Sequence, residues 1–372
     1  MKNTSLKAAV QNIFEKHDIK INGNRPWDIK IYNDKFYKRV FNDGSLGLGE
    51  SYMDGWWDCK NLDDFIYRLL SIDPDKVIKP WVRKLLSFKD KFSDYQKGKK
   101  AFFIGQHHYD IGNDLYKSML DKRMIYSCGY WDNCENIDQA QEKKIDLVCR
   151  KLKLEPGMKV LDIGCGWGGA VSYVAEKYDC HVAGVTVSKE QAEEGEKRCK
   201  NLPAVIKYCD YKELSGKYDR IFSLGMFEHL GYKNYRTYMN KIRELLKPDG
   251  LFLLQTIGSN SSLTGGDPWI RKYIFPNSML PGAKLVAEAC EDLLLIEDWQ
   301  NLSTDYDKTL MEWYKNFKNN WKSLKGNYSK NFYRMWEYYL LSCAAAFRAR
   351  KVQLWQIVFS PEGFPGGYKA VR

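Results

Sequence analysis

The stretch VLDIGCGWGG, Val160 to Gly169, puts an aspartate two positions before the first of three alternating glycines. Apolar and β-branched residues precede it and a helical period follows, so a strand is expected to end near Asp162 and a helix to begin near Gly169. Glycines there permit positive φ and let a ligand approach the backbone across the helix N-terminus. A nicotinamide dinucleotide site wants G-x-G-x-x-G and an acidic residue about 20 positions on, against the ribose. Here the spacing is D-x-G-x-G-x-G, and the next strand ends GVTVSKEQ (Gly184–Gln191) with no carboxylate at its tip. Asp162 can instead meet an ammonium group, which S-adenosylmethionine (SAM) carries and the nicotinamide dinucleotide lacks. SAM is the first reading of the loop; another nucleotide, or a tight turn with no ligand, stays open.

What a methyl donor would act on is constrained by the fourth strand. It leads into SLGMFEHLG (Ser223–Gly231), not into the Asn/Asp-Pro-Pro-Tyr/Phe turn typical of exocyclic-amine methylation, so methylation of bases is disfavoured. The chain carries 12 Trp, 25 Tyr and 17 Phe. Most of these are expected to fill the core, yet aromatic faces also attract cations by roughly 0.5–2 kcal/mol each. If the nucleophile were an alkene, methylation would leave a carbocation, which such walls shelter without trapping. Gln106-His107-His108-Tyr109-Asp110 invites a metal, but adjacent side chains point different ways and no third ligand pattern accompanies them, so no metal is expected. His229 is expected to be a buried, hydrogen-bonded residue and not a base. Cys128 and Cys343 lack the partners of a nucleophile.

The elements that must position these residues are legible in the alternation between 157 and 300. Strands are expected at 159–163, 181–186, 203–209, 219–224 and 250–257, with helices at 169–178, 189–200 and 233–247. This alternation implies a doubly wound, mostly parallel α/β sheet, with 293–299 and 352–359 as closing strands. Phe332, Met335, Trp336, Tyr339, Leu340, Cys343 and Phe347 share one face of a long helix, read as core packing with a channel wall as the other option. Residues 1–75 hold two or three short helical patterns broken by glycines, most clearly in GSLGLGESYMDGWW (Gly44–Trp57).

With 372 residues, 44% hydrophobic and 28% charged, the chain can bury a sizeable core and is neither disordered nor collagen-like. Its most apolar stretches, Gly250–Gly258 and Tyr338–Phe347, fall short of the roughly 20 residues of a membrane span. The first twenty residues show no signal peptide, which makes the cytoplasm the expected compartment. Ten cysteines at irregular spacings, with no C-x-x-C, are expected to stay reduced. The formal net charge is +11, and residues 76–100 carry nine Lys/Arg against Asp90 and Asp94. Such a basic amphipathic stretch (78–103) is either a solvated helix or a segment that lies on an anionic bilayer; no nucleic-acid motif accompanies it.

Seven ordered motifs together resemble one family. They are YSCGYW (Tyr126–Trp131), VLDIGCGWGG, GVTVSKEQ, GMFEHLG (Gly225–Gly231), DPWIRKYIFP (Asp267–Pro276), DYDKTLMEWY (Asp305–Tyr314) and FRARKVQLWQIVFS (Phe347–Ser360). The chain is similar to the bacterial cyclopropane-fatty-acyl-phospholipid synthases, and GSLGLGESYMDGWW looks like the N-terminal domain of their phospholipid-acting members. The resemblance implies a class I SAM-dependent methyltransferase fold, Rossmann-like with a seven-stranded sheet and a helical cap at about 303–350. Residues 96–372 would form that catalytic domain, and 1–95 a small helical lipid-interaction domain ending in the basic linker. It also implies methyl transfer from SAM to a cis double bond of an unsaturated phospholipid acyl chain, with bound bicarbonate removing a proton so that the ring closes.

Carried over by motif, Asp162, Gly164, Cys165, Gly166, Trp167 and Gly168 would form the SAM loop, with Tyr126 and Ser127 flanking the cofactor. Thr186 and Gln191 would lie near its ribose, and Asp210 and Tyr211 by its adenine. The resemblance places bicarbonate among Glu228, Tyr306, Gln255 and the backbone of Cys128 and Ile257. Trp269, Tyr273 and Phe275, with Tyr306, would wall the acyl channel. Gln255 departs from the family pattern, where LLHTIGS carries His and this chain reads LLQTIGS (Leu253–Ser259). An amide can hydrogen-bond an oxyanion but cannot carry charge or relay a proton. That departure keeps open a lipid C-methyltransferase giving a methyl-branched or methylene product. A non-catalytic, membrane-associated lipid-binding protein is the reading from another class. The resemblance further implies peripheral association with the inner face of an anionic membrane, and allows a homodimer.

Overall fold

The computed structural model describes residues 3–71, 112–262, 266–276 and 278–372. The basic stretch at 76–100, the Gln106–Asp110 segment and the expected domain boundary at 95 lie outside the described residues. The chain packs as two compact units, Met1–Ser93 with Thr264–Pro276 and Leu310–Val352, and Asp94–Leu263 with Asn277–Thr309 and Gln353–Arg372. This division by packing differs from the one expected along the chain, because most of the helical cap groups with the N-terminal segment.

In the first unit, α1 (Asn3–Lys16), α2 (Lys35–Met53) and α3 (Leu62–Ser71) surround a two-stranded antiparallel ribbon, β1 (Ile29–Ile31) and β2 (Trp57–Cys59). Three-residue strands are too short to show a period, so the sequence pattern registered only the helices. Phe14, Phe36, Trp57 and Phe65 are buried together, with the Trp57 and Phe65 ring centroids 5.1 Å apart. The glycines of the Gly44–Trp57 motif have separate causes. Gly44, at φ 55°, breaks α2 with a kink, while Gly49 lets the buried Trp269 ring lie directly on the helix backbone. Within the same unit, α12 (Lys330–Arg348) sends Arg334 to the carbonyls of Tyr52 and Trp57, at 2.5 and 2.9 Å. Of the seven-residue apolar stripe on α12, Trp336, Tyr339, Leu340 and Phe347 are buried, as core packing requires.

The second unit is the expected doubly wound sheet. Its seven strands are β3 (Lys159–Ile163), β4 (His181–Thr186), β5 (Ala204–Tyr208), β6 (Tyr218–Leu224), β7 (Leu246–Ser259), β8 (Leu295–Asn301) and β9 (Val352–Ser360), in the order β5-β4-β3-β6-β7-β9-β8. Pairs β3–β4, β4–β5, β3–β6 and β6–β7 are parallel, and β8–β9 is antiparallel. One face is covered by α8 (Tyr235–Leu245) and α10 (Ala283–Cys290), through Tyr238, Ile242 and Val286. The other is covered by α5 (Ile137–Lys151), α6 (Gly169–Tyr178) and α7 (Lys189–Arg198), through Ile145, Val171 and Ala192. Capping fixes the starts: Asn136 accepts from the Gln139 amide at 3.0 Å, and Ser188 from the Gln191 amide at 3.3 Å. All ten cysteines are free thiols.

The strand order reverses between β3 and β6, which opens a crevice at their carboxyl ends where open α/β sheets bind ligands. No described helix is long and apolar enough to cross a membrane.

A Cβ on Gly49 would stand 2.4 Å from the Trp269 ring, which Tyr338 also packs against. Gly49→Ala is therefore expected to cost about 1–3 kcal/mol by overpacking and to lower Tm by roughly 2–10 °C. Gly326→Ala, where an added Cβ meets nothing within 4 Å, is the control and leaves Tm unchanged in differential scanning calorimetry.

Candidate active site

The glycine loop leaves β3 with Gly164, Gly166 and Gly168 at φ 91°, 53° and 75°, values that a side chain would strain, and α6 starts at Gly169. Open space surrounds the missing Cβ of Gly166, while that of Gly168 would press on the Gly195 backbone at 3.2 Å. Trp167 is buried, its ring 4.9 Å from that of Tyr116 on α4 (Asn113–Met119), and its indole N–H donates to Asn113 at 2.9 Å. Tyr126 also packs edge-on against Tyr116, with ring centroids 5.2 Å apart. Cys165 is buried, and burial pushes its thiol well up.

Asp162 is only 2% exposed and its Oδ1 has no hydrogen-bond partner among the described residues. Burial lifts its carboxyl to about 8, opposed by the charge of Lys144. A buried, unsatisfied carboxyl beside a ligand crevice is costly unless a ligand completes it. With the positive-φ loop it suits a ligand that brings an ammonium group, which is the fit SAM requires. Thr186 and Gln191 are both buried and bonded to each other at 2.8 Å. Asp210 holds the turn after β5 by accepting from the Lys212 amide at 3.0 Å, and the buried Tyr211 hydroxyl lacks a partner among the described residues.

A second cluster follows β6. Glu228 sits in a 3₁₀ turn, Phe227–His229, and is 3% exposed. The backbone N–H of Ile257 donates to its Oε1 at 2.5 Å, while Oε2 has no hydrogen-bond partner among the described residues. Burial raises this carboxyl to about 7, against the pull of the Ile257 amide. Phe227 stacks on Tyr235 at 4.0 Å, and the Tyr235 hydroxyl donates to the Met279 carbonyl at 3.1 Å, so the turn is held from below. His229, expected to be buried, is only half-buried; desolvation depresses its imidazole to about 4 and leaves it neutral near pH 7. Gln255 and Gln356, both fully buried on neighbouring strands, pair through Gln356 Nε2 donating to Gln255 Oε1 at 3.0 Å.

The Tyr126–Trp131 segment is stitched to the first turns of α11 (Ser303–Leu324). Gly129 N–H and the Trp131 indole donate to Thr309 Oγ1 at 3.1 and 2.9 Å, and Trp131 N–H donates to Asp305 at 2.8 Å. Tyr306, half-buried, lies on that same turn. Cys128 is buried with its thiol well above the usual range, which leaves it inert. From the other side, Gln141 of α5 donates to the carbonyls of Ser127 and Ile125, at 2.7 and 3.3 Å, and Lys144 donates to Ser127 Oγ at 3.0 Å. Thr309, Gln141, Lys144, Tyr116 and Gln356 were not among the residues expected from sequence. The available signal was two polar residues, Gln141 and Lys144, three apart on the otherwise apolar Ile137–Ala140–Ile145–Val148 face.

Glu228, Gln255, Ile257, Cys128, Tyr306 and the glycine loop all fall within the second unit. Trp269, Tyr273 and Phe275 belong to the first. There Trp269 is 1% exposed against Gly49 and Tyr338, Tyr273 donates to Glu50 at 2.8 Å, and Phe275 packs on Tyr339 at 5.8 Å.

Comparison with known proteins bears on this geometry. A sequence model described as mycolic acid cyclopropane synthetase matches residues 96–357. The cyclopropane-fatty-acyl-phospholipid synthase of Escherichia coli strain K12 is 47% identical over 361 residues, covering 97% of this chain and 94% of that protein. The chain belongs to the cyclopropane synthetase family. It is a SAM-dependent methyltransferase. Tuberculostearic acid methyltransferase UfaA1 of Mycobacterium tuberculosis is 29% identical over 355 residues, covering 89% of this chain and 82% of that one. The crystal structure of mycolic acid cyclopropane synthase CmaA1, complexed with SAH and CTAB, superposes with TM-score 0.66 at 32% identity. The match covers 70% of this chain and 98% of that one. The fold and family expected from sequence therefore stand.

Burial makes the charged form of Glu228 a liability to folding. Its carboxyl titrates near 4.5 when exposed and near 7 in the fold, so the folded state holds the proton more tightly. Stability is lost as pH rises between those values, on the order of 3 kcal/mol in all above pH 7. Glu228→Gln, which keeps the Ile257 contact, is expected to gain Tm over the wild type at pH 8.5 but little at pH 4.5. An identical Tm difference at both pH values would contradict this account of Glu228.

Proposed function

We propose that the protein converts cis double bonds in the acyl chains of unsaturated phospholipids into cyclopropanes, taking the added carbon from the methyl of SAM and using bound bicarbonate as the general base. The observation that carries this reading is Glu228: a buried carboxylate fixed at one oxygen by the Ile257 N–H and open at the other. SAM, when bound, supplies an electrophilic methyl carbon, and bicarbonate a base for the proton that must leave it.

The chain's own residues then have distinct tasks. Asp162 offers its unpartnered Oδ1 to the ammonium end of the cofactor, while the positive-φ glycines admit its close approach. Thr186 and Gln191 serve the ribose, and Asp210 and Tyr211 the adenine. Glu228 Oε2 has no hydrogen-bond partner among the described residues, so it is assigned to take the hydroxyl hydrogen of bicarbonate, which turns a like-charge contact into a hydrogen bond. Gln255 has its carbonyl engaged by Gln356, which leaves its amide N–H as the group offered to the oxyanion. Tyr306 and the backbone N–H of Cys128 complete that cradle; the Ile257 N–H acts through Glu228. Burial of Glu228 and Gln255 excludes the water that would otherwise trap a carbocation as an alcohol. Trp269, Tyr273 and Phe275 are proposed, on the DPWIRKYIFP motif, as aromatic walls for the acyl chain. A net charge of +11 and the basic stretch at 76–100 support peripheral binding to an anionic, cytoplasmic membrane face; the family resemblance allows a homodimer.

One observation favours a second product. The Gln255–Gln356 pair is neutral and cannot relay a proton as His does, so a methyl-branched or methylene lipid remains the alternative outcome from the same cation.

Incubation with methyl-labelled SAM and vesicles of unsaturated anionic phospholipid is expected to give labelled cyclopropane fatty acids in gas chromatography–mass spectrometry. A labelled methyl ester or methylamine without cyclopropane would overturn the function; a branched or methylene acyl chain would select the second product. Turnover is expected to rise with pH through about 7, as Glu228 loses its proton and becomes the acceptor. In degassed buffer, Gln255→His is expected to need less added bicarbonate than the wild type for half-maximal rate.

A further inference from the structure

Lys144 has no counterpart among the tasks above. It projects from α5 into the interior with no exposed surface, and its one described hydrogen bond is to Ser127 Oγ at 3.0 Å. No described carboxylate lies within 4 Å of it. Asp121, Cys128 and Asp162 act on it through space, and burial has drawn its ammonium down to about 8. A buried ammonium without a formed ion pair is costly by several kcal/mol unless something else supplies the anion.

The place of Ser127 indicates where that anion would sit. Its Cβ lies 3.9 Å from where a Cβ on Gly225 would be, directly after β6, so Ser127 stands at the β3–β6 crevice. Asp162, at the end of β3, borders the same crevice, and its Oδ1 has no hydrogen-bond partner among the described residues. Because Ser127 Oγ accepts from Lys144, its own hydroxyl hydrogen is left to be donated elsewhere. Gln141, one turn away on α5, fixes the Ser127 and Ile125 carbonyls and so sets the direction of that hydroxyl. A ligand with both an ammonium and a carboxylate on one carbon would meet Asp162 with the first and Ser127 with the second.

We infer that Lys144 is a positioning residue for the cofactor: it polarises and aims the Ser127 hydroxyl at the α-carboxylate of the amino-acid end of SAM, and supplies the buried positive charge that this carboxylate neutralises. The inference rests on the reading that the crevice binds SAM. It separates recognition of the amino-acid end, by Asp162, Ser127 and Lys144, from recognition of the adenosine end, by residues beyond β4 and β5.

Isothermal titration calorimetry on the full chain tests it with two probes, S-adenosylhomocysteine and 5′-methylthioadenosine; the second keeps the adenosine thioether but lacks the amino-acid end. Lys144→Met is expected to weaken S-adenosylhomocysteine about ten-fold or more while leaving 5′-methylthioadenosine nearly unchanged. Ser127→Ala is expected to do the same, and the double variant to be no weaker than either single one, since both break one interaction. In turnover, the loss appears in KM for SAM more than in kcat. Lys144→Gln, which keeps a donor, serves where Lys144→Met does not fold, and recovers part of the affinity. Equal weakening of both probes, no weakening of either, or additive losses would each overturn the inference. Failure of the wild type to bind S-adenosylhomocysteine would instead sink the reading beneath it.

Discussion

Removing carboxyl groups from water at the carboxyl ends of parallel strands is the constraint on which the second unit depends. Asp162 and Glu228 are both buried there, each with one oxygen that has no partner among the described residues. Their carboxyls are pushed up to about 8 and about 7, because burial outweighs the charge or amide that each does meet. A fold optimised only for stability would replace such groups by apolar ones, as buried charge is rarely worth its desolvation. Their place beside the point where the strand order reverses is what the proposed ligand roles of both carboxyls rest on. The loop beside them is held by three glycines at positive φ, a conformation that any side chain would strain.

Around these two carboxyls the chain is held by polar contacts of high sequence separation. The Tyr126–Trp131 segment has no regular structure of its own, yet it is fixed from both sides. Gln141 and Lys144 of α5 grip Ser127 and the preceding carbonyls, while Thr309 and Asp305 of α11 take Gly129 and Trp131. One hydroxyl, that of Thr309, accepts from a backbone amide and an indole and donates to the Asp305 carbonyl, which brings the turn carrying Tyr306 to the segment carrying Cys128. The replacement of an expected His by Gln255 is absorbed similarly: Gln356 on the neighbouring strand engages its carbonyl and fixes the direction of its amide.

The first unit obeys a different rule. Its core is aromatic, with Phe14, Phe36, Trp57 and Phe65 at tilted or edge-on contacts, and its polar links converge on single carboxylates. Glu50 takes Arg39, Lys272 and Tyr273 together, which holds it down to about 2. Glu337 takes the hydroxyls of Tyr52 and Tyr314, both at 2.6 Å. Segments of the chain hundreds of residues apart thus form one packed body, which explains why a boundary drawn along the sequence and one drawn by packing differ.

Periodicity and turn chemistry determined most of the second unit from the sequence alone. The expected strand 159–163 and helix 169–178 match the observed bounds, because β-branched runs, glycine punctuation and the apolar period are local properties. The glycine loop was legible for the same reason, and Asp162 and Glu228 could be singled out as candidates because each lies in a contiguous motif. The short β1–β2 ribbon was not, since three residues carry no period. Nor were the partnerships of Lys144 with Ser127, Thr309 with Gly129 and Trp131, and Gln356 with Gln255, separated by 17, about 180 and 101 residues. A buried lysine or glutamine reads in sequence as an interruption of an apolar face. Only the tertiary structure decides what it bonds to, because a hydrogen bond requires donor and acceptor to meet within about 3 Å, and sequence spacing does not carry that distance.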